Sequence, residues 1–320
     1  MHEPDEVRPR ISAVIPAFNE EANIALLVDR ISRVLEDRPG GCEIILVDDG
    51  SADGTWPAIA EAARKYPRVR GFRLSRNFGH QHALLAGLNQ ARGEAVISLD
   101  ADLQHPPETI AELIAQWEAG YEIVNTRRSD EVAVNSAFKR LTSKYFYRVF
   151  SALSEVELSE GISDFRLMDR RALDVLTSFQ DSELFLRGAV QWLGFKTTTV
   201  LFRLAERHAG ASKYNFKRML RFAMTAIVSY SSKPLRLGIW LGLITAMLAF
   251  IELIYIVVQY ALGSTVQGWA SILGVISLLF GILFVLLGII GTYLADIHKM
   301  IRSRPQFIIA EETPRSVGPS

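Results

Sequence analysis

Two long apolar stretches, Leu237 to Leu262 and Trp269 to Leu294, limit what this chain can fold into more than any other feature. Crossing the hydrocarbon core of a bilayer takes about 20 apolar residues, and both stretches are long enough. The link between them, GSTVQG, carries no charge. Residues 203–236, just before the first stretch, hold eight Lys/Arg and one acid, Glu206; Lys299, Arg302 and Arg304 follow the second. Basic flanks stay on the cytoplasmic side, so the pattern predicts a transmembrane hairpin with both ends in the cytoplasm and only the link outside. Glu252, near the middle of the first stretch, is expected to face a partner helix or to be protonated, because a bare charge there is costly. A channel or transporter would need more spans or a substantial oligomer. The hairpin does offer a surface for self-association as a homo-oligomer.

Ahead of these stretches the chain reads differently. Its 320 residues leave room for one large domain with an appendage, or for two domains. Lys and Arg number 35 and so do Asp and Glu, so net charge points to no partner, and no nucleic acid is expected. A single cysteine, Cys42, excludes an internal disulfide framework and carries no metal signature. The opening MHEPDEVRPR is polar with no apolar run behind it, so a cleaved signal peptide is not expected and the first domain should stay in the cytoplasm.

ISAVIPAFNE reads as a short buried strand, Ile11 to Ile15, stopped by Pro16. Ile24, Leu27, Val28, Ile31 and Leu35 then follow at helical spacing, until Pro39, Gly40 and Gly41 break the helix. The alternation continues, with CEIILVDDGS, VRGFRLS, EAVISLD and YEIVNTRR as strands and DGTWPAIAEAARKY, HQHALLAGLNQARG and PETIAELIAQWEAG as helices. Pro107 suits a first helical turn, where its missing N–H had no partner anyway. Apolar strands alternating with helices predict an α/β fold with a mostly parallel sheet covered on both faces. Such sheets bind ligands outside the carboxyl ends of their strands. Asp48, Asp49, Asp100, Asp102 and Arg127 all lie at or just beyond those ends.

After residue 130 the pattern changes. SAFKRLTSKYFYRVFSAL places Phe138, Leu141, Tyr145 and Val149 on one helical face, and FKRMLRFAMTAIVSY does the same with Phe216, Met219, Leu220, Ala223, Met224 and Ile227. Both carry basic flanks, which suit a membrane surface; packing on the sheet is the alternative.

In a strand, residues i and i+2 point the same way, so Asp100 and Asp102 can converge on one point. Mg2+ and Mn2+ prefer oxygen ligands of this kind, a few carboxylates together with a substrate's phosphates. Gln104 adds a neutral carbonyl oxygen on the same side. A bare D-x-D is more often a solvated turn; the strand end before it and the Gln and Pro-Pro after it favour the metal.

Five segments in order, VIPAFNEE, ILVDDGSADGT, LSRNFGHQHAL, SLDADLQHPPE and GISDFRLMDRR, resemble the family 2 glycosyltransferases with a GT-A fold. More narrowly, they resemble the polyprenyl-phosphate glycosyltransferases, the group of dolichol-phosphate mannose synthase and the bacterial bactoprenol glucosyltransferases. The likeness spans roughly residues 10–305, including the paired apolar stretches. It implies inverting transfer of a sugar from a nucleotide diphosphate to a polyprenyl phosphate at the cytoplasmic face of the inner membrane, with Mg2+ or Mn2+ as cofactor. Bacterial likeness favours a UDP-hexose and undecaprenyl or decaprenyl phosphate; a GDP-mannose-dependent mannosyltransferase is the variant reading. The implied divisions are a polar tail over 1–10, a catalytic domain over 11–215, an interface helix over 216–234, the hairpin over 235–296 and a cytoplasmic tail over 297–320.

Carried over by position, the resemblance puts Pro16, Ala17, Asn19 and Glu20 beside the nucleotide, and Asp49 on its base or ribose with Ser51 supporting that turn. Gly79 permits close backbone approach and His80 lies near the donor; zinc binding by His80 and His82 lacks a third ligand. Asp100, Asp102 and Gln104 hold the metal, and Arg127 offsets diphosphate charge; an exposed arginine at a strand end is the plainer reading of Arg127. In AERHAGASKY, Arg207, Ser212 and Lys213 match the acceptor loop, with cations suited to a lipid phosphate; a basic juxtamembrane segment drawn to anionic lipid is the plainer reading. Asp164 matches a position proposed as a catalytic base, or else orients Arg166 or the acceptor loop, or caps a helix. A processive polysaccharide synthase would carry Q-x-x-R-W, and VQWLGF is not that motif. An inactive nucleotide-sugar-binding scaffold would be marked by loss of the metal acids, which are intact.

Overall fold

The computed structural model describes residues 8–36, 38–129, 162–179, 186–203, 233–262, 268–302 and 304–314. They fall into two compact units, one built around a sheet and one holding the apolar helices. Chain order in the first is β1 (Ile11–Ala17), α1 (Glu21–Leu35), β2 (Cys42–Asp48), α2 (Thr55–Lys65), β3 (Val69–Leu74), α3 (His80–Gln90), β4 (Ala95–Ser98), α4 (Ile110–Glu118) and β5 (Ile123–Arg128). There follow β6 (Ile162–Asp169), α5 (Arg170–Thr177), α6 (Leu186–Trp192) and β7 (Thr197–Phe202). The second unit holds α7 (Lys233–Ala261) and α8 (Trp269–Ile301), after which the chain rejoins the sheet as β8 (Ile309–Glu312).

The eight strands lie in the order β7-β5-β6-β4-β1-β2-β3-β8. β1 pairs in parallel with β2 and β4, as do β2 with β3 and β5 with β7. β6 is antiparallel to β4 and β5, and β8 is antiparallel to β3. The expected α/β fold with a mostly parallel sheet is therefore present. Every residue of β1 is buried, as a central strand covered on both faces requires. On one face Ile24, Leu27, Val28, Ile31 and Leu35 of α1 pack with Ile15, Leu46, Ile97 and Phe165. On the other, α3 approaches closely through Gly87, where a Cβ would run into Val14 and, at 3.0 Å, Val47 Cγ2.

Pro16 does not end its strand. It remains in β1, in register with Val47. Pairing of β1 with β4 has already stopped at Val14 and Ser98, so the proline sits where the strand has one neighbour and loses no ladder bond on the other side.

Strand β8 comes from the segment that the sequence suggested as a tail. Thr313 donates its N–H to the Gly71 carbonyl and accepts the Gly71 N–H on Oγ1, both at 2.9 Å. Glu311 accepts from Trp56 Nε1 at 3.0 Å and pairs with Arg73 at 2.9 Å.

In the second unit, two windows are long and apolar enough to cross a membrane, Gly238–Gln259 and Gly274–Ala295, with mean hydropathies of 2.4 and 2.7. The helices are antiparallel neighbours: Leu286, midway along α8, abuts Gly238 and Gly242, early in α7. Small residues let the backbones approach in this way. The two basic amphipathic segments lie outside the described residues.

Candidate active site

The turns after β1 and β2 lock together. Asn19 adopts φ 56°, a left-handed conformation that asparagine tolerates better than most residues. Its N–H donates to Ser51 Oγ at 2.9 Å and its Oδ1 accepts the Ala52 N–H at 3.0 Å. Ser51 in turn donates its N–H to Asp48 Oδ1 at 3.0 Å. Asp49 accepts the backbone N–H groups of Phe78 and Gly79 at 2.7 and 2.9 Å, which fixes the entry to α3. Burial pushes the Asp49 carboxyl above its ordinary range, and those two N–H groups oppose the shift. Gly79 has φ 99°, a conformation that a side chain would strain.

The turn after β4 is built on a buried histidine. His105 is 1% exposed, stacked on Phe165 at 5.2 Å and set edge-on to Phe202 at 5.5 Å. Its Nδ1 accepts the Asp100 N–H at 3.2 Å, so the ring proton lies on Nε2, which donates to Ser163 Oγ at 2.8 Å. Burial lowers the His105 pKa and keeps the ring neutral. Asp102 Oδ1 accepts the Gln104 N–H at 3.1 Å, and between them Leu103 takes φ 61°. A left-handed leucine costs about 1–2 kcal/mol. Its side chain is buried, which holds the turn in that shape.

These turns border a cavity of about 390 Å³ at the carboxyl ends of β1 and β4 and the amino end of the antiparallel β6. Pro16, Phe18 and Glu20 line it from the end of β1 and the turn after it, Asp100, Ala101 and Asp102 from the turn after β4, and Asp164 from β6; His80 and Arg187 come from the first turns of α3 and α6. The structure thus brings together Pro16, Glu20, His80, Asp100, Asp102 and Asp164. Ala17, Asn19, Asp49, Ser51, Gly79 and Gln104 stand in the supporting turns and are not among the lining residues. Arg127 is exposed near the end of β5 and does not line the cavity either. Arg207, Ser212 and Lys213 lie outside the described residues.

Arg187 was not singled out by any motif, yet it holds Asp164 in a two-pronged grip, Nε to Oδ1 at 2.9 Å and Nη2 to Oδ2 at 2.7 Å. Burial alone would raise the Asp164 pKa. The Arg187 guanidinium, helped by Arg166, overrides it and holds the carboxyl well below the usual carboxylate range.

Among the described residues, no three His, Cys, Asp or Glu side chains gather into a closed metal cage. His82 Nδ1 is bonded to the Phe78 carbonyl at 2.9 Å, while His80 Nε2 lies 3.3 Å from Asp100, so the two rings do not form a zinc pair. Asp100 and Asp102 together offer hard oxygens on one wall of an open cavity. That donor set fits Mg2+ or Mn2+ completed by substrate oxygens.

Residues 12–177 match the family model described as glycosyl transferase family 2. A Bacillus subtilis (strain 168) protein named as an uncharacterized glycosyltransferase, YkcC, is 38% identical over 303 residues, 93% of this chain and 92% of that one. The SfII prophage-derived bactoprenol glucosyl transferase of Shigella flexneri is 36% identical over 301 residues, covering 94% of this chain and 97% of its own.

Proposed function

Because the chain belongs to glycosyl transferase family 2, we propose that it moves a hexose from a nucleotide diphosphate, a UDP-sugar, to the phosphate of a polyprenol, with inversion and with a divalent metal. The observation that carries this reading is a cavity lined by Asp100 and Asp102 together with Arg187, in a chain similar over nearly its whole length to a bactoprenol glucosyl transferase. Acids that can hold a metal, and a guanidinium in the same cavity, suit substrates that both carry phosphate.

Asp100 and Asp102 would hold Mg2+ or Mn2+, which when bound supplies positive charge against the donor's diphosphate. The chain's own residues position the reactants. Asn19, Ser51 and Asp48 shape the donor turn, His105 and Ser163 hold the acidic turn, and Glu20 and His80 line the approach. The acceptor phosphate oxygen forms a bond to the anomeric carbon while the bond from that carbon to the diphosphate oxygen breaks. The acceptor oxygen is already ionised near neutral pH, so no proton has to be removed, and orientation supplies much of the rate.

We place the protein in the inner membrane through α7 and α8, with the sheet in the cytoplasm. Strand order supports this: β1–β7 precede the two helices and β8 follows them, yet all eight strands share one sheet. A chain that leaves a sheet, crosses a bilayer and returns to the same sheet must cross an even number of times. The basic residues flanking the helices put that side in the cytoplasm.

The test is to incubate the purified full chain with undecaprenyl phosphate, Mg2+ or Mn2+, and labelled UDP- and GDP-sugars. Label entering the organic phase with one donor, and lost with EDTA or in Asp102→Ala, is the expected result. No transfer from any donor, although nucleotide binds in the presence of metal, would sink the reading.

A further inference from the structure

Asp164 sits on β6 with its side chain 7% exposed, and two guanidinium groups converge on its one carboxylate. Arg187 grips both oxygens, Arg166 Nη2 reaches Oδ1 at 3.4 Å, and Gln81 Nε2 adds a contact to Oδ2 at 3.4 Å. Arg166 has a side chain only 4% exposed and spends an Nη2 proton on the Ser163 carbonyl at 3.1 Å. Arg187 is different: its side chain is 42% exposed, and it forms part of the cavity wall with His80, Asp100 and Asp102. Of the two guanidinium groups, it is therefore that of Arg187 that is presented to the cavity. Among the described residues it is the one Arg or Lys lining that cavity.

We propose that Arg187 is a phosphate-binding residue of the reaction and that Asp164 is its positioning residue, not a proton acceptor. The proposal rests on the glycosyltransferase reading above. Its chemistry is that of a guanidinium held from behind by a carboxylate, so that the planar fork is oriented before a phosphate arrives. A base is not needed, since the attacking phosphate oxygen carries no proton to remove. A carboxylate already shared between two guanidiniums is also a poor acceptor of one, and the depressed pKa of Asp164 agrees. Both the donor diphosphate and the acceptor lipid phosphate offer the required oxygens, and the experiment separates them.

The experiment uses the full chain, with undecaprenyl phosphate and the nucleotide sugar varied in turn, in wild type, Arg187→Gln, Arg187→Lys, Arg187→Gly and Asp164→Asn. Arg187→Gln should lower kcat/KM by about 100-fold. Arg187→Lys should recover only part of that, because lysine lacks the fork, and guanidinium chloride added to Arg187→Gly should restore activity. A raised KM for undecaprenyl phosphate alone assigns Arg187 to the acceptor; a raised KM for the nucleotide sugar alone assigns it to the donor; either supports the proposal. Asp164→Asn should weaken the same substrate while leaving the acidic limb of the kcat profile in place. If Asp164→Asn instead abolishes that limb with both KM values unchanged, Asp164 is a base and the proposal fails. It also fails if Arg187→Gln keeps kcat and both KM values within about twofold and loses only thermal stability. Absence of transfer by the wild type would overturn the parent reading, and this one with it.

Discussion

Ser163 and His105 share a 2.8 Å hydrogen bond beneath the acidic turn, joining β6 to the residues that follow β4. Through the other ring nitrogen, the same histidine holds the Asp100 backbone. His105→Phe would keep the stack on Phe165 and remove both bonds. Outer-shell partners of a metal site are typically worth about 10–100-fold in affinity or activity. We expect a loss of that size, a higher metal concentration for half-maximal rate, and a stability cost of about 1–3 kcal/mol from the partners left unpaired. A metal titration of initial rates checks it; an unchanged midpoint would mean the turn holds its shape without the ring.

The join between β3 and β8 separates a buried hydrogen bond from an exposed ion pair. Thr313→Val leaves the Gly71 N–H without an acceptor, which should cost about 1–3 kcal/mol. Glu311→Gln touches a pair whose side chains are 51% and 35% exposed, and should cost no more than about 1 kcal/mol, less in high salt. Denaturant unfolding of the two variants side by side gives the ranking; equal losses would contradict it.

Gly71 itself has no room to grow. A Cβ there would collide with Ile59 and meet Thr313 Cγ2 at 2.8 Å. Gly71→Ala should destabilise the sheet by about 1–3 kcal/mol, as overpacking does. Limited proteolysis should then release the segment after α8 sooner than in the wild type.

Asp164 gives a pH dependence with a definite sign. Its folded pKa is depressed, so its pairing stabilises the fold fully above the unfolded value of about 4. That stability drains away as pH falls below this point toward the lower folded value. Thermal unfolding of wild type and Asp164→Asn should therefore differ most at neutral pH and converge in acid. Curves that stay parallel down to pH 3 would show that the carboxylate is not held by the arginines.

Much of the sheet was legible because its strands are apolar runs: β1, β2 and β4 could hardly be anything else. β6, β7 and β8 were harder to see. Asp164 and Arg166 alternate with Phe165 and Leu167 in β6, a strand pattern masked by burying charge that only its partners make tolerable. TTTVLF and IAEE have half-polar faces because they form or border the sheet's edges. The acids of the site announced themselves by their place after a strand. Arg187 did not, since an arginine in a short helix looks like surface until Asp164 is found behind it, and the sequence gives no sign of that contact. Arg127 shows the reverse: a cation at a strand end by position, turned out to solvent in the fold.

Strand β8 also bears on how the molecule is made. It is synthesised after both apolar helices, yet it covers the edge of β3, a strand finished more than two hundred residues earlier. Until the ribosome has passed the hairpin, that edge is bare and open to pairing with other chains. A hairpin inserted with one helix left out would strand β8 across the bilayer, and the edge would stay bare. If α7 and α8 cross a bilayer as proposed, a chain with a miscounted crossing could not close its sheet.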